Sequence, residues 1–197
     1  MTAPRTSHWT AVQRILRYLR GTLDVGLLFL VRGEAVMEAY ADADYAGCLD
    51  TRRSTSGWCV KVGNSFISWR CKKQDRVSKS STEAEYRSMS EVASEIVWLK
   101  RLLAELGVSI QPPVRLHVDN TSAIRIATNP VLHDRTKHIE VHVHYIRQLV
   151  VEGEVELAYI TSENQTADLL TKAVASARYW FLAHILMLRQ HQFEGGC

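Results

Sequence analysis

The sequence predicts an α/β fold in which a mixed five-stranded sheet is flanked by helices. Three observations indicate this class. Two runs with strand character, Ser56–Val62 and Ser65–Lys73, are separated only by Gly63-Asn64, which is typical of an antiparallel hairpin. Another strand run precedes them, so three consecutive antiparallel strands are expected. Two further strand runs alternate with helical ones in the second half, which favours parallel additions to the sheet.

The first half of the chain supplies one helix and then these three strands. From Ser7 to Arg20, apolar residues recur at helical spacing, and Gly21 closes the helix. Its apolar side needs a neighbour to cover it. Leu27–Val31 is an apolar, strand-like link. The next strand lies in VMEAYADADYAG, and its alternation is expected to place small alanines beneath a helix and Asp42 on the opposite face.

The second half alternates helices with two strands. Pro112-Pro113 breaks the chain before the strand in VRLHVDN, and Gly153 stops the helix before the last strand. The predicted elements are the long helix Ser78–Leu106, the VRLHVDN strand, helices Ser122–Thr128 and His138–Glu152, the strand Val155–Ile160, a helix from about Thr166, and a final helix Ala177–Arg189.

Composition places the chain among ordinary globular proteins. It has 197 residues, of which 46% are hydrophobic and 23% are charged, so one domain with a sizeable core is expected. The net charge of +3 by itself implies no partner. Four cysteines without C-x-x-C spacing, and no secretory leader, indicate a reduced, intracellular protein. No apolar run approaches the ~18 residues of a membrane span, so no membrane partner is expected.

Charge is distributed unevenly along the chain. Between Asp50 and Ser80, eight basic residues stand against two acids and are interleaved with three aromatic residues. The basic residues are Arg52, Arg53, Lys61, Arg70, Lys72, Lys73, Arg76 and Lys79. A basic band with aromatics is typical of a polynucleotide-binding surface. A solvated strand face is the plainer interpretation, and the band alone favours it.

The long helix carries an acid where an apolar residue is expected. Its apolar stripe runs in steps of three or four residues from Met89 to Leu106, and Glu85 is the first member of that stripe. A buried carboxylate is costly unless a cation, a metal or hydrogen bonds compensate it. Capping is the alternative, because both Thr82–Glu85 and Ser80–Glu83 have capping-box spacing. This stretch alone leaves the two interpretations at even odds.

Four carboxylates stand at the ends or starts of predicted elements: Asp42, Glu85, Asp119 and Asp168. Ligands in α/β sheets gather at the carboxyl ends of strands, where strand order changes. Each acid also has a bland interpretation as a solvating charge, a helix cap or a dipole partner. Taken together, crowded carboxylates make sense mainly around a divalent cation, and oxygen-only ligands favour Mg²⁺ or Mn²⁺.

Seven ordered motifs carry a family resemblance over nearly the whole chain, from His8 to about Val174. They are YADADYAG, RRSTSGW, ISWRCKKQ, SKSSTEAEYRSMSE, VDNTSAI, NPVLHDRTKHIEV and TADLLTK. In this order they resemble the ribonuclease H domain of Ty1/copia-type retrotransposon Pol polyproteins, with plant copia elements nearest in character. The resemblance implies a ribonuclease H-like fold and an acidic catalytic set at Asp42, Glu85, Asp119 and Asp168, with Asp44 and Glu83 as fallbacks.

The resemblance also implies an activity. It is hydrolysis of the RNA strand of RNA–DNA hybrids with two Mg²⁺ ions, or Mn²⁺, at the four acids. Basic and polar side chains would hold the hybrid. The candidate substrate-binding residues are Arg53, Ser54, Lys72, Lys73, Gln74, Asn120 and His138. A non-catalytic, nucleic-acid-binding relic of such a polyprotein is the alternative.

The same resemblance divides the chain into three parts. Residues 1–25 resemble the remnant of the connection to a reverse transcriptase, which becomes an expected partner. Residues 26–175 form the ribonuclease H-like domain, and 176–197 a C-terminal helix and tail. A cytoplasmic or nuclear location is expected, or a virus-like particle if the parent element is active.

The histidines invite a second interpretation as a zinc site. His138 and His142 lie one helical turn apart, but His144 lies about 200° round the helix from His142, so a three-ligand site on this helix is implausible. His138 is expected to be structural or to face the substrate. Cellular ribonucleases H carry a histidine before the last acid. Here the loop reads TSENQ, with no histidine, so the group that transfers the proton during product release is left unassigned.

Overall fold

A computed structural model describes residues 3–30, 34–129 and 140–190. The helices and strands within these ranges are numbered in chain order. They are α1 Thr6–Gly21, β1 Val25–Leu27, β2 Met37–Asp44, β3 Thr55–Val62, β4 Ser65–Lys73, α2 Ser81–Glu105, β5 Val114–Val118, α3 Thr121–Thr128, α4 Glu140–Val151, β6 Val155–Tyr159, α5 Asp168–Thr171, α6 Ser176–Ile185 and β7 Leu188–Gln190.

The main sheet has five strands in the order β4-β3-β2-β5-β6. Strands β2, β3 and β4 pair antiparallel, and β5 and β6 add to β2 in parallel. Gly63 makes the tight turn between β3 and β4, and its φ of +57° is a conformation that favours glycine. The predicted mixed α/β sheet is therefore confirmed. Because β2 and β5 are parallel neighbours, Asp42 near the end of β2 and Asp119 directly after β5 lie at the same end of the sheet.

One face of the sheet packs against α2. Ala39 and Ala41 are fully buried there, and α2 lies close to them because their side chains are small. The stripe Met89, Val92 and Ile96 is buried in the same cluster, as its helical spacing predicts. This core fixes the rotation of α2, and so fixes the direction in which Glu85 points.

The opposite face carries a smaller apolar layer. Tyr40 and Phe66 of the sheet are buried there with Leu186, and Leu27 of β1 packs against them. A cavity of about 470 Å³ remains between the sheet, α1 and the C-terminal segment, with Tyr18, Trp69 and other largely apolar side chains lining it.

The C-terminal segment differs from the sequence-based expectation. A single helix was predicted over Ala177–Arg189, but α6 ends at Ile185 and β7 follows. Met187 has a φ of +59°, which turns the chain out of the helix. The next residues then pair antiparallel with β1, in which Val25 is opposite Gln190. Pairing with a distant strand overrides local helical spacing. The strand predicted over Leu27–Val31 is found at Val25–Leu27 within the described residues, and Val31 lies outside them.

Helix α1 leaves its apolar side uncovered. None of its residues is buried, and Trp9 is 60% exposed. Its side-chain hydrogen bond to the rest of the protein joins the hydroxyl groups of Tyr18 and Tyr179 at 3.1 Å. The expectation that this helix needs a neighbour is consistent with that exposure. Among the described residues, no helix combines the length and hydropathy that crossing a bilayer requires.

Candidate active site

Asp42 lies near the end of β2, on the face of the sheet opposite α2. Its side chain is 1% exposed and is covered by the single-turn helix α5. The Thr171 hydroxyl donates a hydrogen bond to Asp42 Oδ2. Gly57 stands opposite Asp42 in the neighbouring strand, and a Cβ there would lie 2.4 Å from Cγ2 of Thr171. Glycine at this position therefore lets α5 approach the acid.

Glu85 lies just after the first turn of α2 and is 5% exposed. The structure decides between the two capping pairs. Ser80 is the N-cap and its hydroxyl accepts a hydrogen bond from the Glu83 amide at 3.1 Å, while Glu83 Oε2 accepts one from the Lys79 amide at 2.7 Å. Capping is thus the role of Glu83, which was the fallback ligand.

The Glu85 carboxylate is left with little compensation. Its Oε1 accepts a hydrogen bond from the Ala43 amide at 3.3 Å, and no described group donates to the buried Oε2. Burial, followed by the charges of Asp42 and Asp119, raises the pKa of Glu85 to about 9. A buried carboxylate oxygen without a donor is the kind of atom that a cation can satisfy.

Asp119 directly follows β5 and is partly exposed. The Ser162 hydroxyl donates to its Oδ2 at 2.8 Å. The helix cap that was the alternative for this stretch is provided by the next residue, because Asn120 Oδ1 accepts a hydrogen bond from the Ala123 amide at 3.0 Å. Asp119 is therefore free of that structural role.

Asp42, Glu85 and Asp119 converge on one point. Each offers a carboxylate oxygen, and these oxygens lie within 4.8 Å of one another. Burial also raises the pKa of Asp42, although Thr171 and Lys172 oppose that effect. Three hard oxygen donors and an unsatisfied Glu85 oxygen fit a divalent cation of the Mg²⁺ type.

The fourth predicted acid, Asp168, is joined to this group through a cation of the protein. Lys172 Nζ lies 2.6 Å from Asp168 Oδ1 and 3.0 Å from Asp42 Oδ1. Arg178 donates to Asp168 Oδ2 at 2.9 Å, and it also donates to the carbonyl oxygens of Ser162 and Glu163. Asp168 is therefore beside Asp42 but outside the group of three.

Sequence reasoning missed Lys172, Thr171, Ser162 and Arg178. Lys172 stands four residues after Asp168, a spacing that brings side chains together on a helix, so this ion pair had a signal. No sequence signal indicated the contacts of Arg178, because they depend on how α6 packs against the rest of the domain. The Arg178 side chain binds the backbone of the loop that contains Ser162, and Ser162 donates to Asp119. Arg178 therefore contacts Asp168 directly and supports Asp119 through Ser162.

The basic candidates for substrate contact lie at the surface near the end of β4. Lys72 and Lys73 are exposed, and Arg53 is partly exposed. Lys72 Nζ lies 3.7 Å from Asp75, and Lys73 donates to Cys48 Sγ at 2.8 Å. The ammonium groups of the two lysines are therefore accessible, whereas Nε of Arg53 is buried. The role of all three in binding a polyanion stays a prediction.

The polar candidates are held inside the protein. Ser54 is fully buried, and its hydroxyl accepts a hydrogen bond from the Ala46 amide. Gln74 is 4% exposed and its amide nitrogen donates to Ser56 and to the Ala84 carbonyl. In this structure both side chains position elements around the site, and a direct substrate contact would require them to rearrange. Asn120 caps α3, and His138 lies outside the described residues.

Comparison of the sequence with known proteins finds retrotransposon relatives. The chain is 43% identical over 180 residues to the retrovirus-related Pol polyprotein from transposon RE2 of Arabidopsis thaliana. The aligned segment covers 91% of this chain and 12% of that protein. The chain is 40% identical over 176 residues to the Pol polyprotein from transposon TNT 1-94 of Nicotiana tabacum, over 89% of this chain and 13% of that protein. The chain thus spans about an eighth of these relatives' length. No family model matches.

Comparison of the structure finds ribonuclease H domains. The N-terminal RNase H domain of Rv2228c from Mycobacterium tuberculosis, solved as a fusion with maltose-binding protein, superposes with a TM-score of 0.53 at 13% identity, over 77% of this chain and 98% of that one. LC11-RNase H1, which was isolated from compost, gives 0.51 at 13% identity in its complex with an RNA/DNA hybrid, over 68% of this chain and 93% of that one. At these identities the likeness establishes the fold. The homologues of this chain are copia-type retrovirus-related Pol polyproteins, at about 40% identity over about 90% of its length, and its fold is that of a ribonuclease H domain.

Proposed function

We propose that this chain is a ribonuclease H domain that hydrolyses the RNA strand of RNA–DNA hybrids with two divalent metal ions, Mg²⁺ or Mn²⁺. The observation that carries the proposal is the convergence of Asp42, Glu85 and Asp119 within 4.8 Å, on a fold shared with ribonuclease H domains. The Pol polyprotein relatives fit a retrotransposon context, and one structural neighbour, LC11-RNase H1, was solved in complex with an RNA/DNA hybrid.

The acids would divide into two overlapping sets of metal ligands. Asp42, Glu85 and Asp119 would hold one ion, and Asp42 with Asp168 would hold the second. When bound, such ions activate a water molecule and stabilise the leaving oxygen of a phosphodiester. The remaining residues orient the ligands: Thr171 fixes Asp42 and Ser162 fixes Asp119 through the hydrogen bonds described above. The chain then only has to place the scissile phosphate beside the acids.

Hybrid binding would use the basic surface near the end of β4. Lys72 and Lys73 lie at the end of β4, and Arg53 lies just before β3. Thr55 pairs with Lys73 on one side and with Asp44 on the other, so phosphates held there would lie at the same end of the sheet as the loop that follows β2. The 2′-hydroxyls of the RNA strand would distinguish hybrid from duplex DNA.

The experiment is a cleavage assay on a labelled RNA–DNA hybrid with Mg²⁺, with duplex RNA and duplex DNA alongside. We expect RNA fragments with 3′-hydroxyl and 5′-phosphate ends from the native chain. Asp119→Asn should lower the rate by about 10³-fold, since an acid that binds metal contributes several kcal/mol to the transition state. The matched control is Asp24→Asn, which changes an exposed acid on the N-terminal side of β1 and should cleave normally. Cleavage that survives in Asp119→Asn would remove the proposed site.

A non-catalytic hybrid-binding relic is the second candidate, favoured by the uncovered apolar side of α1. It predicts hybrid binding without cleavage by the native chain in either metal. The helix would be covered by a reverse transcriptase domain in a full polyprotein, so residues 1–25 are proposed to belong to that connection. Adding a separately expressed reverse transcriptase domain should then restore activity if a missing partner is the reason for its loss.

A further inference from the structure

The cation that lies between Asp42 and Asp168 is a side chain of the protein, the ammonium group of Lys172. Lys172 Nζ lies within hydrogen-bond distance of one carboxylate oxygen of each acid, at 3.0 and 2.6 Å. The two acids need such a cation, because their side chains are only 1% and 7% exposed. Two buried carboxylates side by side repel each other, and an ammonium between them offsets that repulsion.

The backbone of Lys172 is fixed by a hydrogen bond, whereas the end of its side chain is not enclosed by other residues. Its amide donates to the Asp168 carbonyl oxygen at 2.9 Å, which fixes where the side chain starts. The side chain itself is 39% exposed, so its end can leave the acids for solvent without losing much buried surface. A lysine stem of four methylene groups allows that movement.

A divalent ion shared by Asp42 and Asp168 would need the two oxygens that Lys172 contacts, because Thr171 donates to the other oxygen of Asp42 and Arg178 donates to the other oxygen of Asp168. Metal–oxygen distances for Mg²⁺ are about 2.1 Å, so an ion and an ammonium group cannot both contact those oxygens from the same side. The group of Asp42, Glu85 and Asp119 differs, since Lys172 pairs with Asp42 alone among its three acids, and neither Glu85 nor Asp119 forms a salt bridge with any described cation.

We infer that Lys172 is a tethered cation that holds Asp42 and Asp168 together in the metal-free protein and must leave them before a divalent ion binds between them. The inference rests on the proposed function for the identity of the site. The two metal sites therefore differ in affinity: the Asp42–Glu85–Asp119 site fills directly, and the Asp42–Asp168 site fills only when Lys172 is displaced. Loading of the second ion is an exchange of one cation for another.

The test is a Mn²⁺ titration by calorimetry and electron paramagnetic resonance, without nucleic acid. Lys172→Met keeps most of the length of the side chain and removes its charge. We expect the native chain to bind one ion readily and Lys172→Met to bind a second ion at least tenfold more tightly than the native chain does. Lys172→Arg keeps the charge and should bind the second ion no more tightly than the native chain.

The matched control is Arg178→Gln, because Arg178 also donates to Asp168 but does not contact Asp42. General loss of positive charge would tighten metal binding in both variants, whereas displacement of Lys172 predicts tightening only in Lys172→Met. Equal tightening in the two variants would overturn the inference, and so would an unchanged or weaker second site in Lys172→Met.

Thermal unfolding supplies a second measurement. Lys172→Met should unfold at a lower temperature than the native chain in EDTA and should gain more from Mn²⁺. A Lys172→Met variant that stays unfolded with saturating Mn²⁺ would contradict the inference, since the ion should replace the lost ammonium. Neither measurement depends on hybrid cleavage. A chain that binds metal as described but does not cleave refutes the proposed activity alone, and a chain that cleaves while Lys172→Met binds metal unchanged refutes this inference alone.

Discussion

Replacing Glu85 with Gln should stabilise the metal-free protein while removing its metal site. Glu85 is buried, and its pKa of about 9 means that the folded chain keeps a proton on this group at neutral pH. Gln has nearly the same shape, carries no charge, and can still accept the hydrogen bond from the Ala43 amide. The substitution therefore removes the cost of a buried acid without opening a cavity.

The magnitude follows from the two pKa values. An unfolded chain releases the Glu85 proton near its ordinary pKa of 4.5, and the folded chain releases it near 9. Because the folded state holds the extra proton, the free energy of unfolding falls as pH rises between these values, by about 1.4 kcal/mol per pH unit. At pH 7 the accumulated cost is about 3 kcal/mol, which corresponds to roughly 6–12 °C in Tm for a chain of this size.

The assay is urea and thermal unfolding in EDTA from pH 5 to pH 9. Glu85→Gln should exceed the native chain by up to about 3 kcal/mol at pH 7, with little difference near pH 5 and a larger one at pH 9. Glu105→Gln, on the exposed end of α2, is the control and should change stability little. In Mg²⁺ the native chain should be stabilised and Glu85→Gln much less. A Glu85→Gln chain that is less stable in EDTA at pH 7, or a difference that does not vary with pH, would refute the reasoning.

Three further predictions test the surroundings of the site. Gly57→Ala places a Cβ 2.4 Å from Cγ2 of Thr171, so it should displace α5, lower the free energy of unfolding by about 1–3 kcal/mol and reduce hybrid cleavage, as urea unfolding and the cleavage assay would show. The Lys73 ammonium lowers the pKa of the Cys48 thiol to about 6, so peptide-resolved iodoacetamide labelling of Cys48 should reach half its limiting rate near pH 6, and Lys73→Met should move that midpoint upward. Gln74→Leu removes a buried, fully bonded amide and should cost about 2–4 kcal/mol of stability, with hybrid affinity nearly unchanged in the folded fraction; a tenfold loss of affinity there would instead support direct substrate contact.

The mixed sheet and the proximity of Asp42, Glu85 and Asp119 could be predicted from the sequence. Period-two alternation around Asp42 and helical spacing after Glu85 are local signals, and each reports which face is buried. Once β2 and β5 are neighbours, Asp42 and Asp119 must meet at the same edge. The capping ambiguity could not be resolved in this way, because Ser80–Glu83 and Thr82–Glu85 overlap and only the position of the first helical residue separates them.

Other features depend on contacts between distant parts of the chain. The role of Arg178 depends on how α6 docks, since its partners lie 10 to 16 residues away. Residues Leu188–Gln190 form a strand because they pair with β1, which lies more than 160 residues earlier in the chain. The local apolar spacing of the C-terminal segment favoured a helix instead. Burial of Gln74 was also hidden, because a polar residue after a basic strand has the same sequence signature whether it faces solvent or supports a helix.

The pairing of β1 with β7 has a consequence for how such a domain can be carried in a longer polypeptide. Val25 lies opposite Gln190, so the chain enters and leaves the folded unit side by side. A protein segment with adjacent entry and exit can be accommodated in a larger chain without pulling its neighbours apart. A shortened version that lacks the residues before 28, or those after 187, would lose one strand of this pair. The apolar layer beneath Leu27 and Leu188 would then be exposed.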